Sequence, residues 1–207
     1  MWYNKHGRKI CMNLIKLFFI FPVLVIIFFA SCGSNNTGNN ATTLSIGDLH
    51  QGGKVAYILQ TGDPGYDPNT QHGFIAALED QTNATWGCFG EAMWTSTALG
   101  TGLANTTAIM AACFTIGIAA SLCDEHTNAD TGTGVYSDWY LPSKDELTQL
   151  YSNRLELGGF AEAGSYWSSS EEQDYETHRA WEQAFYNDSK YIKYKYLYGN
   201  VRCVRSF

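Results

Sequence analysis

The segment KYIKYKYLY, residues 190–198, concentrates basic and aromatic side chains near the end of the chain. On a β-strand, alternate side chains face opposite sides of the sheet, so one face would be basic and the other apolar. Lysine ammonium groups bind sulfate or carboxylate as point charges, and a tyrosine ring offers a flat surface to a sugar. The pattern predicts a site for anionic polysaccharide formed by Lys190, Tyr191, Lys193 and Lys195, with both Lys193 and Lys195 facing solvent. The alternative is that these lysines protect an edge strand from pairing with another chain.

A second candidate for ligand chemistry is the acidic run SSSEEQDYETH, residues 168–178. Carboxylates are the hard oxygen ligands that calcium prefers, and this run supplies Glu171, Glu172, Asp174 and Glu176. An acidic run is equally typical of a solvated loop. We therefore expect no resident cofactor, with calcium at this run as the candidate ion.

Other reactive side chains do not form catalytic patterns. In CDEH, residues 123–126, neighbouring residues on a helix point in different directions and do not share one metal ion. GTGLAN, residues 100–105, lacks the third glycine of a dinucleotide fingerprint and is better explained as a turn into a helix. The motifs G-x-S-x-G, S-x-x-K and H-E-x-x-H are absent from the sequence. These patterns favour a binding module over an enzyme.

The cysteines indicate disulfide bonds rather than a metal site. Of the six cysteines, two lie in the N-terminal segment, and four remain: Cys88, Cys113, Cys123 and Cys203. An even number of cysteines in an exported domain favours disulfides, and no C-x-x-C pair indicates zinc. Four cysteines allow three disulfide connectivities, and cysteine spacing does not choose among them.

The segment SDWYLPSKDELTQLY, residues 137–151, predicts a helix pinned to the core. Ser143 and Glu146 have the spacing of a capping box, which places the start of the helix at the serine. Leu147 and Leu150 follow with helical spacing and form an apolar stripe together with Tyr151. Trp139 and Leu141 are expected to enter the core just before this helix.

Hydrophobic periodicity predicts the remaining elements. Two strands are expected at residues 54–60 and 72–80, and strands joined by a hairpin turn at Asn187–Ser189 are expected in the last quarter of the chain. Between them, Asn105 is the predicted N-cap of one long helix that ends near His126. The spacing of this helix rests on Ile109, Cys113, Ile116, Ala120 and Cys123. Two helices among strands indicate an α+β fold with an antiparallel sheet.

The N-terminal segment resembles a bacterial lipoprotein leader. Basic residues precede the apolar run Leu17–Ala30, whose 14 residues suit a signal peptide and are short for a membrane span. The sequence FASC that follows resembles a lipobox, which makes Cys32 the predicted lipidation site. Residues 1–31 are then the signal peptide, 32–45 the lipid-bearing cysteine and a flexible linker, and 46–207 the folded domain. Both Met1 and Met12 are possible starts.

Export would leave a strongly acidic protein. Residues 1–32 hold four bases and no acid, so the remaining chain has nine bases against 20 acids and a net charge of −11. This balance disfavours nucleic acid as a partner. Five of the nine bases lie between Asn187 and Phe207, which gives an acidic body with a basic end.

Several motifs occur in the order of a known family. GGKVAYIL, WGCFG, DWYLPSKDEL, YWSSSE and VRCVRSF, spread over residues 46–207, resemble the C-terminal domain family of the Legionella collagen-like protein. That family is related to the Fibrobacter major paralogous domains. The resemblance implies a C-type-lectin-like fold with two helices packed on an antiparallel sheet. It also implies that a bridge joins the first helix to the last strand, Cys123 to Cys203, which leaves Cys88 with Cys113.

The family resemblance and the leader together predict a lipid-anchored module of the bacterial outer membrane. Its partners would be the membrane, through the anchor, and an anionic polysaccharide or an adhesion target. The alternative is a structural envelope lipoprotein that docks onto another protein and has no glycan ligand.

Overall fold

Strands dominate the computed structural model, which describes residues 43–130, 134–173 and 177–207. Within these residues the strands form a four-stranded sheet, a five-stranded sheet and a two-stranded ribbon. In chain order they are β1 Leu49–His50, β2 Gly53–Ile58, β3 Gly73–Ala77, β4 Gln81–Thr85, β5 Asn128–Asp130, β6 Gly134–Tyr136, β7 Ser165–Glu171, β8 Arg179–Ala184, β9 Lys190–Tyr194, β10 Tyr198–Val201 and β11 Val204–Ser206. The four-stranded sheet has the order β1-β2-β3-β11, and the five-stranded sheet has the order β4-β10-β7-β8-β9.

The chain passes between the two larger sheets near its end. β10 lies in the five-stranded sheet, and β11, two residues later, pairs with β3 in the other. The last eight residues, 200–207, are therefore divided between two sheets. Every strand pair is antiparallel except β10 with β7, which is parallel. The hairpin turn predicted at Asn187–Ser189 joins β8 to β9.

Four helices occur within the described residues: α1 Gly102–Ala112, α2 Ala119–Asp124, α3 Lys144–Ser152 and α4 Arg154–Leu157. The capping box of α3 is confirmed. The Glu146 backbone N–H donates to Ser143 Oγ at 3.3 Å, and the Ser143 N–H donates to Glu146 Oε2 at 2.7 Å. Leu147 and Leu150 are buried, as are Trp139 and Leu141 ahead of the helix. The sequence SDWYLPSKDEL is thus an architectural element.

The prediction of one long first helix is wrong. Helix α1 begins at Gly102, Asn105 is inside it, and the chain leaves the helix at Cys113, whose backbone is extended. Gly117 then adopts a left-handed φ of +71°, which ends any helical continuity before α2. Ile116, expected on the buried stripe, is 94% exposed between the two helices. The apolar spacing spans two short helices because a disulfide at Cys113 and a turn at Gly117 interrupt it.

Two clusters of buried apolar side chains form the core. The first contains Trp86, Trp139 and Trp167 together with all four disulfide cysteines. The second packs α3 through Leu147 and Leu150 against the strands. Residues 41–207 form one compact unit that holds both clusters and both disulfides, so we expect this fragment to fold by itself. The predicted α+β class is confirmed, and the likeness to C-type lectins stays a prediction.

Both implied disulfides are present. Cys88 pairs with Cys113 at a Cα–Cα distance of 5.5 Å, and Cys123 pairs with Cys203 at 5.3 Å. The first links the end of α1 to the loop after β4. The second links α2 to the crossing between the two sheets. Their sequence separations are 25 and 80 residues.

We expect loss of the Cys123–Cys203 bridge to destabilise the fold more than loss of the other bridge. Serine at both positions should lower the free energy of unfolding by about 2–5 kcal/mol, because the longer loop restores more chain entropy to the unfolded state. The matched control, serine at Cys88 and Cys113, should lose about 1 kcal/mol less. Urea unfolding of both variants measures the difference. A smaller loss for the Cys123–Cys203 pair would contradict this ranking.

Candidate binding site

The predicted basic strand is β9, which lies at an edge of the five-stranded sheet. Lys190 and Tyr191 are exposed, and the Lys190 ammonium lies 3.4 Å from Asp188 Oδ1. Lys193 is partly buried and donates to Glu182 Oε1 at 2.9 Å and to the Tyr198 carbonyl at 2.8 Å. Burial raises the pKa of Glu182, and the Lys193 ammonium opposes that rise. The positive charges of Lys190 and Lys193 are thus already balanced by carboxylates.

The expectation that Lys195 faces solvent is wrong. β9 ends at Tyr194, and the next residue turns inward, where its carbonyl accepts from the Trp86 N–H at 3.0 Å. The Lys195 side chain is fully buried. Its ammonium donates to the Glu171 carboxylate and, at 2.9 Å, to the Glu91 carbonyl. Desolvation lowers the pKa of Lys195, and the neighbouring Glu171 opposes that shift.

The other bases near the chain end are also paired over long range. Arg202 is buried and lies 2.7 Å from Asp80, and Arg205 lies 2.6 Å from Asp138. Hydrogen bonding from Arg205 holds the pKa of Asp138 below its ordinary value. The basic end seen in sequence is therefore neutralised in the fold by acids from earlier in the chain.

The predicted calcium ligands have structural partners where the structure describes them. Glu171 Oε2 accepts from the backbone N–H groups of Met93 and Trp94, each at 2.9 Å, while its other oxygen accepts from Lys195. Glu172 Oε2 lies 2.8 Å from Arg179 Nε. Asp174 and Glu176 lie outside the described residues. No group of three or more metal-binding side chains forms among residues 43–130, 134–173 and 177–207.

Glu171 and its neighbours stabilise the loop at residues 91–97 through hydrogen bonds. The Thr95 hydroxyl accepts from the Glu171 N–H at 2.7 Å, and Ser170 Oγ donates to the Ser96 carbonyl at 2.7 Å. Asn105 bonds Ser96 twice, accepting from its N–H at 2.9 Å and donating to its carbonyl at 2.7 Å. The residues of YWSSSE and the Asn105 amide therefore act as supports for this loop.

Trp94 is the side chain that this loop presents. Its indole is 79% exposed, and its backbone has a φ of +51°. A bulky residue with positive φ is uncommon, because its Cβ crowds the backbone. Such strain persists only where surrounding contacts impose it, and it concentrates at functional sites. Here the bond from the Trp94 N–H to the buried Glu171–Lys195 pair imposes it.

A cleft of about 510 Å³ lies beside the loop. One wall is the loop itself, through Ser96 and Thr97, and another is the end of β7 with Gln173. The floor includes Trp181 and Ile192, which are cross-strand partners in β8 and β9. The cleft therefore joins an indole, hydroxyls, an amide and carboxylates in one concave surface.

Lys144 adds a positive charge next to the cleft. Its ammonium lies 4.2 Å from the centre of the Trp181 ring. Among the lysines and arginines that the structure describes, it alone has neither a hydrogen bond nor an ion pair from its charged group to a carboxylate or carbonyl. Every other lysine and arginine in the described residues has such a partner for its charged group: Lys54, Arg154, Arg179, Lys190, Lys193, Lys195, Arg202 and Arg205. An ammonium on an aromatic face gains cation–π attraction, and its N–H groups are still able to donate to a ligand.

Sequence reasoning did not identify Trp94, Trp181 or Lys144 as site residues. Lys144 lies within a capping-box helix, so its sequence context indicated only architecture. Trp94 belongs to WGCFGEAMW, which shows no periodicity, and positive φ at a tryptophan has no sequence signature. The one sequence signal for an exposed aromatic residue here was the aromatic segment WGCFGEAMW, which fits neither a helix nor a strand.

The family comparison covers the part of the chain that holds the candidate site. The family model of the Lcl C-terminal domain matches residues 78–205. Comparison with curated proteins gives no significant match. The matched range contains both disulfides, the loop at residues 91–97 and the cleft. Since the match covers more than half of the 207 residues, the chain belongs to the Lcl C-terminal domain family.

Proposed function

We propose that this protein is a lipid-anchored module of the cell envelope that binds polysaccharide through Trp94 and the adjoining cleft. Membership of the Lcl C-terminal domain family suggests a module of the binding or adhesion type. The anchor rests on sequence, because Cys32 and the apolar run before it lie outside the described residues. Within the described residues, no helix is long and apolar enough to span a bilayer.

The observation that carries the proposal is the combination of exposure and strain at Trp94. A left-handed backbone costs a non-glycine residue roughly 1–2 kcal/mol, and an exposed indole gains nothing from burial to offset it. A buried ion pair and several side-chain bonds hold this conformation in place. An exposed aromatic ring on a loop whose backbone is held in place is suited to stacking against a sugar ring.

The charges favour a neutral or sparsely charged polysaccharide. Lys190 and Lys193 of β9 are paired, and Lys195 just after it is buried, so this segment does not offer the row of free cations that a sulfated polymer requires. Lys144 provides one positive group at the cleft, which suits a single carboxylate such as that of a uronic acid. The net charge of −11 after export would repel a densely sulfated chain from most of the surface.

Docking onto another protein is the second candidate function. The exposed side chains of β9 include Tyr191, Ile192 and Tyr194, and an edge strand of this kind is able to pair with an extended peptide. The lysines on the same strand counter such pairing. A polysaccharide ligand at the cleft is the better supported of the two.

Alanine at Trp94 should weaken polysaccharide binding by about tenfold or more, because an exposed aromatic anchor contributes on the order of 1.4–3 kcal/mol. The test uses fragment 41–207 on an array of neutral, uronate-containing and sulfated polysaccharides. Affinity for the glycan that binds best is then measured for both proteins.

Leu155→Ala is the matched control, since Leu155 is an apolar residue that is 82% exposed on α4. It should leave both binding and the melting temperature unchanged. The proposal fails if no glycan binds, or if alanine at Trp94 and alanine at Leu155 give the same affinity. Binding of an envelope protein in place of any glycan would support the docking function.

A further inference from the structure

A long stretch of the chain carries no charged side chain. From Ala92 to Cys123 the sequence holds no Asp, Glu, Lys, Arg or His, in a protein with 33 charged residues. This stretch includes α1, the loop 113–118 and most of α2. Part of this stretch is exposed, and a large exposed apolar patch marks a site of interaction with a protein, a ligand or a membrane.

Helix α1 carries no charged side chain on the side that faces outward or on the side that faces the core. Its inner face buries Asn105, Thr106 and Ile109. Its outer face exposes Leu103, Ala104, Thr107, Ala108 and Ala111. Surface helices usually place charged residues on the outside, whereas the outer face of α1 is built mainly of leucine and alanine.

The loop after α1 projects two large apolar side chains. Phe114 is 93% exposed and Ile116 is 94% exposed. The loop is fixed at one end by the Cys88–Cys113 disulfide and at the other by Ile118, which is buried. The exposed tip is therefore anchored to the core at both of its ends.

We propose that the tip at Phe114 and Ile116, followed by the outer face of α1, inserts into the interfacial region of a lipid bilayer. An inserting surface must carry apolar bulk and no charge, which is the composition of residues 92–123. A protein partner would more often meet a rim of charged and polar residues. The proposed anchor at Cys32 would keep a bilayer within reach. Insertion itself depends only on residues in the described unit.

Insertion of this kind is driven by apolar burial and not by charge. The net charge of −11 gives the protein no attraction to anionic lipid. Binding to zwitterionic vesicles should therefore be at least as strong as binding to anionic vesicles. Partitioning should also be nearly independent of salt, because no ion pairs form at the surface.

The test is the partition coefficient of fragment 41–207 between buffer and phosphatidylcholine vesicles. Phe114→Ser combined with Ile116→Ser should lower the partition coefficient by roughly 30-fold or more, since two large apolar side chains lose their burial in lipid. Both residues are exposed, so the variant should keep the wild-type melting temperature. Leu155→Ser, at an exposed position between Arg154 and Glu156, is the matched control and should partition like wild type.

Amide hydrogen exchange gives a second readout. Residues 113–118 should exchange more slowly when vesicles are present, and the β9 amides should not change. The proposal is contradicted if the wild-type fragment does not bind vesicles, or if the serine variant and the control partition alike. It is also contradicted if the wild-type fragment self-associates and the serine substitutions abolish that self-association without changing vesicle binding. The fragment lacks Cys32, so a negative vesicle result does not bear on the predicted lipid anchor. The glycan array contains no lipid, so a negative vesicle result does not bear on polysaccharide binding either.

Discussion

Glutamate in place of Lys195 should lower the free energy of unfolding by about 3–5 kcal/mol, which is enough to unfold many domains of this size. The Lys195 ammonium is fully buried against the Glu171 carboxylate, and the substitution would place two carboxylates together without a cation. The loop at residues 91–97 should be released at the same time, since Glu171 also holds the N–H groups of Met93 and Trp94. Urea unfolding and the yield of soluble protein measure the effect.

Two further variants keep this prediction testable if the glutamate variant does not fold. Lys195→Met removes one member of the buried pair and should be strongly destabilising. Adding Glu171→Gln should recover part of the loss, because glutamine is neutral and still accepts from the loop N–H groups. The matched control is Lys190→Glu on the same segment, which should change stability by less than about 1 kcal/mol because that side chain is exposed. Wild-type stability of Lys195→Glu would show that this lysine faces solvent.

Aspartate in place of Leu147 should have a comparably large effect. Leu147 lies on α3 in the second hydrophobic cluster, with 1% of its surface exposed. The variant loses the burial of a leucine and also places an unpaired carboxylate in the core, so we expect a loss of more than about 4 kcal/mol. Thermal unfolding monitored by circular dichroism measures it.

Leu155→Asp provides the comparison for this variant, because the same chemical change on α4 leaves the carboxylate in water. It should change stability by less than about 0.5 kcal/mol. If Leu147→Asp gives no folded protein, Leu147→Ala should still fold with a loss of about 2–5 kcal/mol. An unchanged melting temperature for either substitution at Leu147 would contradict the packing of α3 against the sheet.

Elements fixed by short-range interactions were predictable from sequence. The capping box at Ser143 and Glu146, with the apolar stripe behind it, identified α3 because its bonds join residues three positions apart. The same holds for the hairpin turn at Asn187–Ser189. The disulfide pairing followed from the family resemblance, since cysteine spacing alone allows three pairings.

Features that depend on contacts distant in sequence were not predictable. The run of lysines in residues 190–198 suggested a positive surface, yet Lys195 pairs with Glu171, 24 residues earlier. Arg202 likewise pairs with Asp80, 122 residues away. The break after α1 escaped periodicity, because Cys113 and Ile116 keep helical spacing across a turn that a disulfide and Gly117 impose.

The pairing of Lys195 with Glu171 also supports the loop at residues 91–97. Lys195 is buried and does not face solvent. It neutralises Glu171, and Glu171 holds Trp94 in a left-handed conformation with its indole in solvent. The sequence motif that suggested a calcium site and the one that suggested a basic strand therefore form parts of one support for the loop at residues 91–97.

The location of a bound glycan is the most direct test of this account. Fragment 41–207 is titrated with an oligosaccharide of the glycan that binds best on the array, and nuclear magnetic resonance follows its amide and indole N–H signals. Binding at Trp94 and the cleft should place the largest shifts on residues 93–97, on Gln173 and on the indoles of Trp94 and Trp181. Largest shifts on residues 190–193, with the Trp94 indole unaffected, would contradict it.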